Sequence, residues 1–185
     1  MENLNELNIG ERFEFRYFDW VVLDKDESGV FAVMTDFWQI LPFDMYNCNN
    51  WEKSSLRRVL NSEFLNRIGK NNLVPVESDL IADNGDKAYG KTTDYVTILS
   101  CDQYRKYRDN LLFFKDKGWM WTITSLSCYS GNSGNGHSVC GVSPSGNIRS
   151  ELAVYRDGGV APACKFASSN LKVCRLTHLV AVTEK

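Results

Sequence analysis

The octapeptide Gly118-Trp119-Met120-Trp121-Thr122-Ile123-Thr124-Ser125 constrains the fold more than any other stretch of the chain, because bulky and polar residues alternate in it with the period of a strand. A glycine- and serine-rich segment, Ser127 to Gly136, follows it, and Gly159-Val160-Ala161-Pro162-Ala163 closes the region. No core absorbs a polar segment of that kind. The pairing predicts a rigid scaffold that displays an exposed, mobile loop, which is a design for binding.

The rest of the chain supplies the scaffold. Phe13, Phe15 and Tyr17 alternate with Arg12, Glu14 and Arg16, the pattern of a half-buried strand. After a bend expected at Phe18-Asp19, Trp20-Val21-Val22-Leu23 forms a second strand. Asp24 to Gly29 supplies turn chemistry, and Val30-Phe31-Ala32-Val33-Met34 completes an antiparallel meander. A helix capped by Asn49 or Asn50 carries Leu56, Val59, Leu60, Phe64, Leu65 and Ile68 on one stripe and ends at Gly69. Ser100-Cys101-Asp102-Gln103 has the spacing of a capping box, with Tyr104, Tyr107, Leu111 and Leu112 as the expected buried face of a second helix. The segment Asp83 to Thr93 reads as a loop, and Tyr95 to Leu99 as a strand. Ser138 to Val142 and Ile148 to Tyr155 flank the turn Ser143-Pro144-Ser145-Gly146-Asn147, and Leu171 to Val182 returns as a last strand. The expected class is α+β, a mostly antiparallel sheet with two principal helices, in a single domain over residues 1–185.

Composition limits the functions on offer. With 43% hydrophobic residues in 185, the chain buries a core without staples. A net charge of -2 gives no global attraction to nucleic acid. The acidic opening Met1-Glu2-Asn3-Leu4-Asn5-Glu6-Leu7 has no apolar run for export or anchoring, so a cytoplasmic protein with no membrane partner is expected. In that compartment the six cysteines are read as thiols. None stand at CxxC spacing and only two histidines are present, so neither a metal site nor a cofactor is expected.

Taken in order, Ile9-Gly10-Glu11-Arg12-Phe13-Glu14-Phe15, Asp19-Trp20-Val21-Val22-Leu23-Asp24, the helix segment Trp51 to Phe64, the double-tryptophan strand and the closing Gly-Val-x-Pro-Ala resemble an uncharacterised bacterial and phage domain family. That family is similar to C-type lectins and to the formylglycine-generating-enzyme fold, and the resemblance spans about Leu7 to Val182. It implies a C-type-lectin-like domain. Family members carry arginines where this chain has Thr124 and Ala161, which removes two guanidinium forks from the usual family pocket.

The resemblance to cysteine-dependent oxidases suggests Cys164 with Cys174, and perturbing charge from Lys165 and Arg175, with His137 as an acid or base. Against it, Cys174 lies in an alternating strand, where a small thiol is ordinary core material. Gly131 to Gly136 lacks the lysine and helix of a phosphate loop. Calcium-dependent sugar binding needs several hard oxygen donors, and the loop region offers asparagines but almost no carboxylates before Glu151 and Asp157. Tyr104-Arg105-Lys106-Tyr107-Arg108 mixes charge with aromatics, so Arg105, Lys106 and Arg108 are the candidate DNA contacts, although helical spacing places them on a solvated face.

The expectation is therefore a non-enzymatic module that binds a macromolecule, a protein first of all, through Tyr129, Asn132, Asn135, His137 and Tyr155. The resemblance to phage and mobile-element proteins sharpens this to an inhibitor of a host defence nuclease, an anti-CRISPR protein against Cas9. Asp83, Asp86, Asp94, Asp102 and Asp109 would then mimic nucleic-acid charge. The alternatives are a glycan or small-ligand receptor and a cysteine-dependent oxidoreductase.

Overall fold

The computed structural model describes residues 1–115, 117–129, 136–167 and 171–176. Its strands, in chain order, are β1 (Glu2–Asn3), β2 (Arg12–Phe15), β3 (Phe18–Asp26), β4 (Gly29–Met34), β5 (Gln39–Ile40), β6 (Leu73–Val74) and β7 (Val76–Asp79). They continue as β8 (Lys91–Asp94), β9 (Met120–Ser125), β10 (Ser138–Val142), β11 (Ile148–Leu152), β12 (Gly159–Val160), β13 (Ala163–Ala167) and β14 (Lys172–Leu176). Seven form one antiparallel sheet in the order β1-β14-β2-β3-β4-β13-β6. Five form a second, β11-β10-β9-β12-β5, in which only the β9–β12 pairing is parallel. The strands β7 and β8 make a separate hairpin-like pair. The chain is thus α+β with mostly antiparallel sheets and two principal helices, as its periodicities predict.

The meander β2-β3-β4 turns where side-chain chemistry permits. The first turn falls at Arg16 and Tyr17, both at positive φ (55° and 65°), and not at Phe18-Asp19 as the sequence suggested. Two successive left-handed residues match the twist of a tight hairpin, so the turn shape outweighs the poor fit of these residue types. At the second turn the Asp26 carboxylate accepts hydrogen bonds from the Ser28 and Gly29 amides.

Why β3 and β4 are apolar on both faces follows from the layering. Trp20, Val22, Val30, Ala32 and Met34 point into one core with Leu56, Leu60, Phe64 and Ile68 of the first helix. Val21, Leu23, Phe31 and Val33 point the other way, onto Tyr104, Tyr107 and Leu111 of the second helix segment. A sheet covered on both sides reads as a continuous hydrophobic run. Leu112, expected in the second core, faces solvent instead, because the chain past Tyr107 tightens into a 3-10 helix, Arg108–Phe114, and its faces rotate.

Both helices show their start signals, with one correction. Asn50 caps only the short 3-10 turn Trp51–Lys53, and the helix itself begins at Ser55, where the Ser54 hydroxyl accepts from the Arg57 amide at 3.1 Å. It continues through a π-helical stretch, Leu60–Phe64, and stops at Gly69 (φ 81°). The second helix, Cys101–Tyr107, has the full capping box between Ser100 and Gln103. The expected strand over Tyr95 to Leu99 is reduced to one bridge, Thr97 to Ala163, while part of the presumed loop before it is β8, paired with β7. Of the last run, Lys172–Leu176 is a strand and residues 177–185 lie outside those described.

Trp121 of β9, with Trp119 just before the strand packed against it, anchors the core. Trp121 is fully buried, donates its indole N–H to the Leu41 carbonyl at 2.8 Å, and packs edge-on against Trp119 with centroids 4.4 Å apart. Gly158 makes room for this pair: a Cβ there would lie 2.3 Å from the Trp121 indole nitrogen and 2.8 Å from the Trp119 ring. Gly158→Ala should destabilise the fold by about 1–3 kcal/mol through overpacking, read as a lower urea midpoint at unchanged slope.

Candidate functional site

Two buried polar side chains build the face on which the glycine- and serine-rich segment begins and ends. Asp44 is almost wholly buried, and its carboxylate accepts from the amides of Tyr46 (2.8 Å), Cys48 (3.0 Å) and Ser55 (2.8 Å). This ties the turn carrying Tyr46 to the start of the first helix. Asn47, at φ 61°, accepts from the Val154 amide through its side chain. Asn49, fully buried, donates to the carbonyls of Ser127 (2.9 Å) and Ser138 (3.0 Å). Its own carbonyl oxygen accepts from the Tyr89 hydroxyl at 2.6 Å, and that hydroxyl accepts from the Tyr129 amide at 2.8 Å. Burial raises the Tyr89 pKa, so the hydroxyl keeps its proton and donates to Asn49.

Around this network lies a groove of about 340 Å³ lined by Tyr46, Cys48, Lys53, Tyr89, Tyr129 and His137, among others. Tyr46 and Tyr129 are 81% and 63% exposed, unusual for rings whose backbones are so firmly held. His137 Nδ1 stands 2.7 Å from the Asn47 carbonyl; a carbonyl only accepts, so Nδ1 donates. Of the five residues expected to bind a partner, Tyr129 and His137 therefore share one groove. Tyr155 is half-exposed on the segment that follows β11, one residue past Val154 and its bond to Asn47. Asn132 and Asn135 lie outside the described residues. Nothing in Met45-Tyr46-Asn47 marks Tyr46 in the sequence; its place depends on the turn held by the Asp44 carboxylate and on remote contacts of that turn, the Asp44 amide to the Ala153 carbonyl and the Asn47 side chain to the Val154 amide.

The expected DNA contacts are largely neutralised by neighbours. Arg105 pairs with Asp102 at 2.7 Å and Asp83 at 3.4 Å. Lys106 bonds to Asp24 at 2.6 Å, and Lys106 and Tyr107 together hold the Asp24 carboxyl below the usual carboxylate range. Arg108 lies beside Gly146, where a Cβ would come within 3.1 Å of its guanidinium. Among the acidic residues proposed as nucleic-acid mimics, Asp94 is buried, accepting from the Trp51 indole (3.0 Å) and pairing with Arg57 (2.8 Å), so it presents no surface charge.

The oxidase pair is separated. Cys164 lies on β13 and Cys174 on β14, with β2, β3 and β4 between them in the sheet, about 19 Å at ordinary strand spacing. Cys164 is completely buried, and burial pushes its thiol pKa well up, opposite to what a nucleophile needs. The structure brings together a different pair that no sequence spacing announces. Cys101, Cys140 and Asp83 place their ligand atoms within 4.8 Å of one another, beside a cleft of about 460 Å³. A hydrogen bond from Cys140, with help from Thr122, Thr124 and Arg105, lowers the Cys101 thiol to about 7 against the effect of burial. The same bond and burial raise Cys140.

Comparison of the chain with protein-family models, with curated proteins and with solved structures finds no match. No described helix is long and apolar enough to cross a membrane.

The network makes a direct claim about Asn49. Asn49→Ala removes a buried donor from the carbonyls of Ser127 and Ser138 and the acceptor of the Tyr89 hydroxyl, and should lower stability by about 2–4 kcal/mol. Thermal unfolding of the variant checks this, and Asn49→Asp, whose carboxylate would face the same two carbonyl oxygens in a buried site, should be no more stable than the alanine variant.

Proposed function

We propose that this chain is a non-enzymatic binding module on a C-type-lectin-like scaffold, and that its partner is a protein held at the groove between Tyr46 and Tyr129. One observation carries the reading: two tyrosines present exposed rings from backbones fixed by the buried Asp44 and Asn49. Rings that are already ordered contribute contact area at little conformational cost, which is why tyrosine anchors so many interfaces. The oxidase alternative rests on a cysteine pair that the sheet keeps apart. The DNA alternative rests on Arg105, Lys106 and Arg108, the first two of which are already engaged by carboxylates.

Within this reading the narrower candidate is a bacterial defence nuclease of the Cas9 type, inhibited by occupation of a surface that the nuclease needs. It rests on the sequence resemblance alone. A glycan would compete for the same two rings, because sugars stack on tyrosine as proteins do.

The test uses the full chain and Tyr46→Ala/Tyr129→Ala side by side. Retention of a protein from bacterial lysate should weaken at least about thirty-fold in the double variant, the loss expected for one strong interface anchor or more, with the melting temperature unchanged. Equal retention by both chains would remove the groove from consideration. Cas9 cleavage assays with both chains decide the narrower candidate, and a glycan array decides the competitor: binding there that vanishes with the two rings would replace the protein with a sugar.

A further inference from the structure

We infer that Cys101, Cys140 and Asp83 form a three-ligand site for a thiophilic divalent cation of the zinc class, with its fourth position open to the adjoining cleft. The placement comes from one strand. Thr122, Ile123 and Thr124 of β9 stand opposite the single residue Cys140 of β10, where the pairing register shifts between Val139 and Gly141. Such an irregularity re-aims side chains. Here it releases the Ile123 amide to the Leu99 carbonyl at 3.0 Å, which draws the start of the second helix against β9. The Cys101 amide then donates to the Thr124 hydroxyl at 3.0 Å, and the Thr122 hydroxyl donates to the Cys140 carbonyl at 2.7 Å. Asp83 is held by its own amide, which donates to the Ser125 carbonyl at 2.8 Å. All three donors are registered on the same short length of backbone.

Their chemistry fits a soft or borderline cation. Zinc takes thiolate sulfur at about 2.3 Å and carboxylate oxygen at about 2.0–2.2 Å, so tetrahedral ligands stand about 3.3–3.8 Å apart. A cluster already within 4.8 Å closes by about an ångström, and Asp83, at the exposed rim, has the freedom to move. Two thiolates and one carboxylate carry three negative charges, a divalent ion offsets two, and Arg105, shared between Asp83 and Asp102, offsets part of the third. The two thiols are buried while the cleft reaches Asp83, Cys101 and Thr124, so the face left for a fourth ligand is that of water or a small anion. Three protein ligands with an open position is the arrangement of zinc sites that exchange a ligand.

The experiment uses the full chain, reduced with a phosphine and stripped with chelator. Zinc titrated against a chromophoric competitor should bind at one equivalent per chain and raise the thermal midpoint by roughly 5–10 °C at a hundred-fold excess over Kd. Cobalt in place of zinc should give a sulfur-to-metal charge-transfer band and tetrahedral visible absorption, a signature that reports thiolate ligation without any mutation. Cys101→Ser or Cys140→Ser should abolish uptake, Asp83→Asn should weaken it at least ten-fold, and Cys174→Ser, on a distant exposed strand residue, should leave it intact. Zinc uptake should also survive Tyr46→Ala/Tyr129→Ala, so its fate is independent of the groove. No stoichiometric uptake, a cobalt spectrum without the sulfur band, uptake that persists in Cys101→Ser, or full affinity in Asp83→Asn would each overturn the assignment.

Discussion

Burial of β9 on both faces is the constraint from which the rest of this structure follows. Met120 packs into the core beneath the second helix, while Trp121 and Ile123 pack into the larger core that holds the first helix. Between them, Thr122 and Thr124 keep their hydroxyls satisfied inside the protein, on the Cys140 carbonyl and the Cys101 amide. A strand buried this way has no solvent to fall back on, so the Thr122 and Thr124 hydroxyls each fix a neighbour, while the Ser125 hydroxyl finds no partner among the described residues. The parallel partner β12 approaches closely because Gly158, just before it, has no side chain to meet the Trp121 and Trp119 rings, while Gly159 leaves room for Phe37. Moving β9 would therefore unseat both cores, the start of the second helix and the closing glycine strand together.

The loop face is held by a different device. Asp44 and Asn49 are short polar side chains sunk below the surface, and between them they fix the turn bearing Tyr46 and both flanks of the glycine- and serine-rich segment. Burying them without partners would be costly, but here their hydrogen bonds span up to 89 residues of sequence. The result is an outer surface whose aromatic rings face solvent and whose backbone is positioned from within. Hydrogen bonds from Asp44 and Asn49 thus add to the packing of Phe43, Trp51 and Tyr89 in joining this face to the scaffold.

Much of the fold was legible because it is written locally. The capping box at Ser100 and Gln103, the alternation of Arg12 to Phe15 and the apolar runs of β3 and β4 each declare themselves within a few residues. The errors fell where distant contacts override local preference. Arg16 and Tyr17 are poor left-handed residues, but the hairpin twist puts them there. Tyr95 to Leu99 has strand-like composition, yet its hydrogen bonds go to Asn61, Ala163 and Ile123 and not to a continuous ladder. The β7–β8 pair is polar and carries little periodic signal. Leu112 was assigned to the core by a helical period that the chain abandons after Tyr107.

By itself, the sequence determined the α+β class, the meander and both helices, and set Tyr129 and His137 on the face flanking the glycine- and serine-rich segment, since periodicity, caps and turn chemistry act over spans of a few residues. Only the tertiary structure decided that Tyr46 joins that face, that Cys164 and Cys174 lie apart, and that Cys101, Cys140 and Asp83 converge. Convergence of this kind depends on strand order and on a register shift in β9 against β10, both set by how the whole chain closes its cores. Thiols 39 residues apart carry no mark of their meeting until that closure is made.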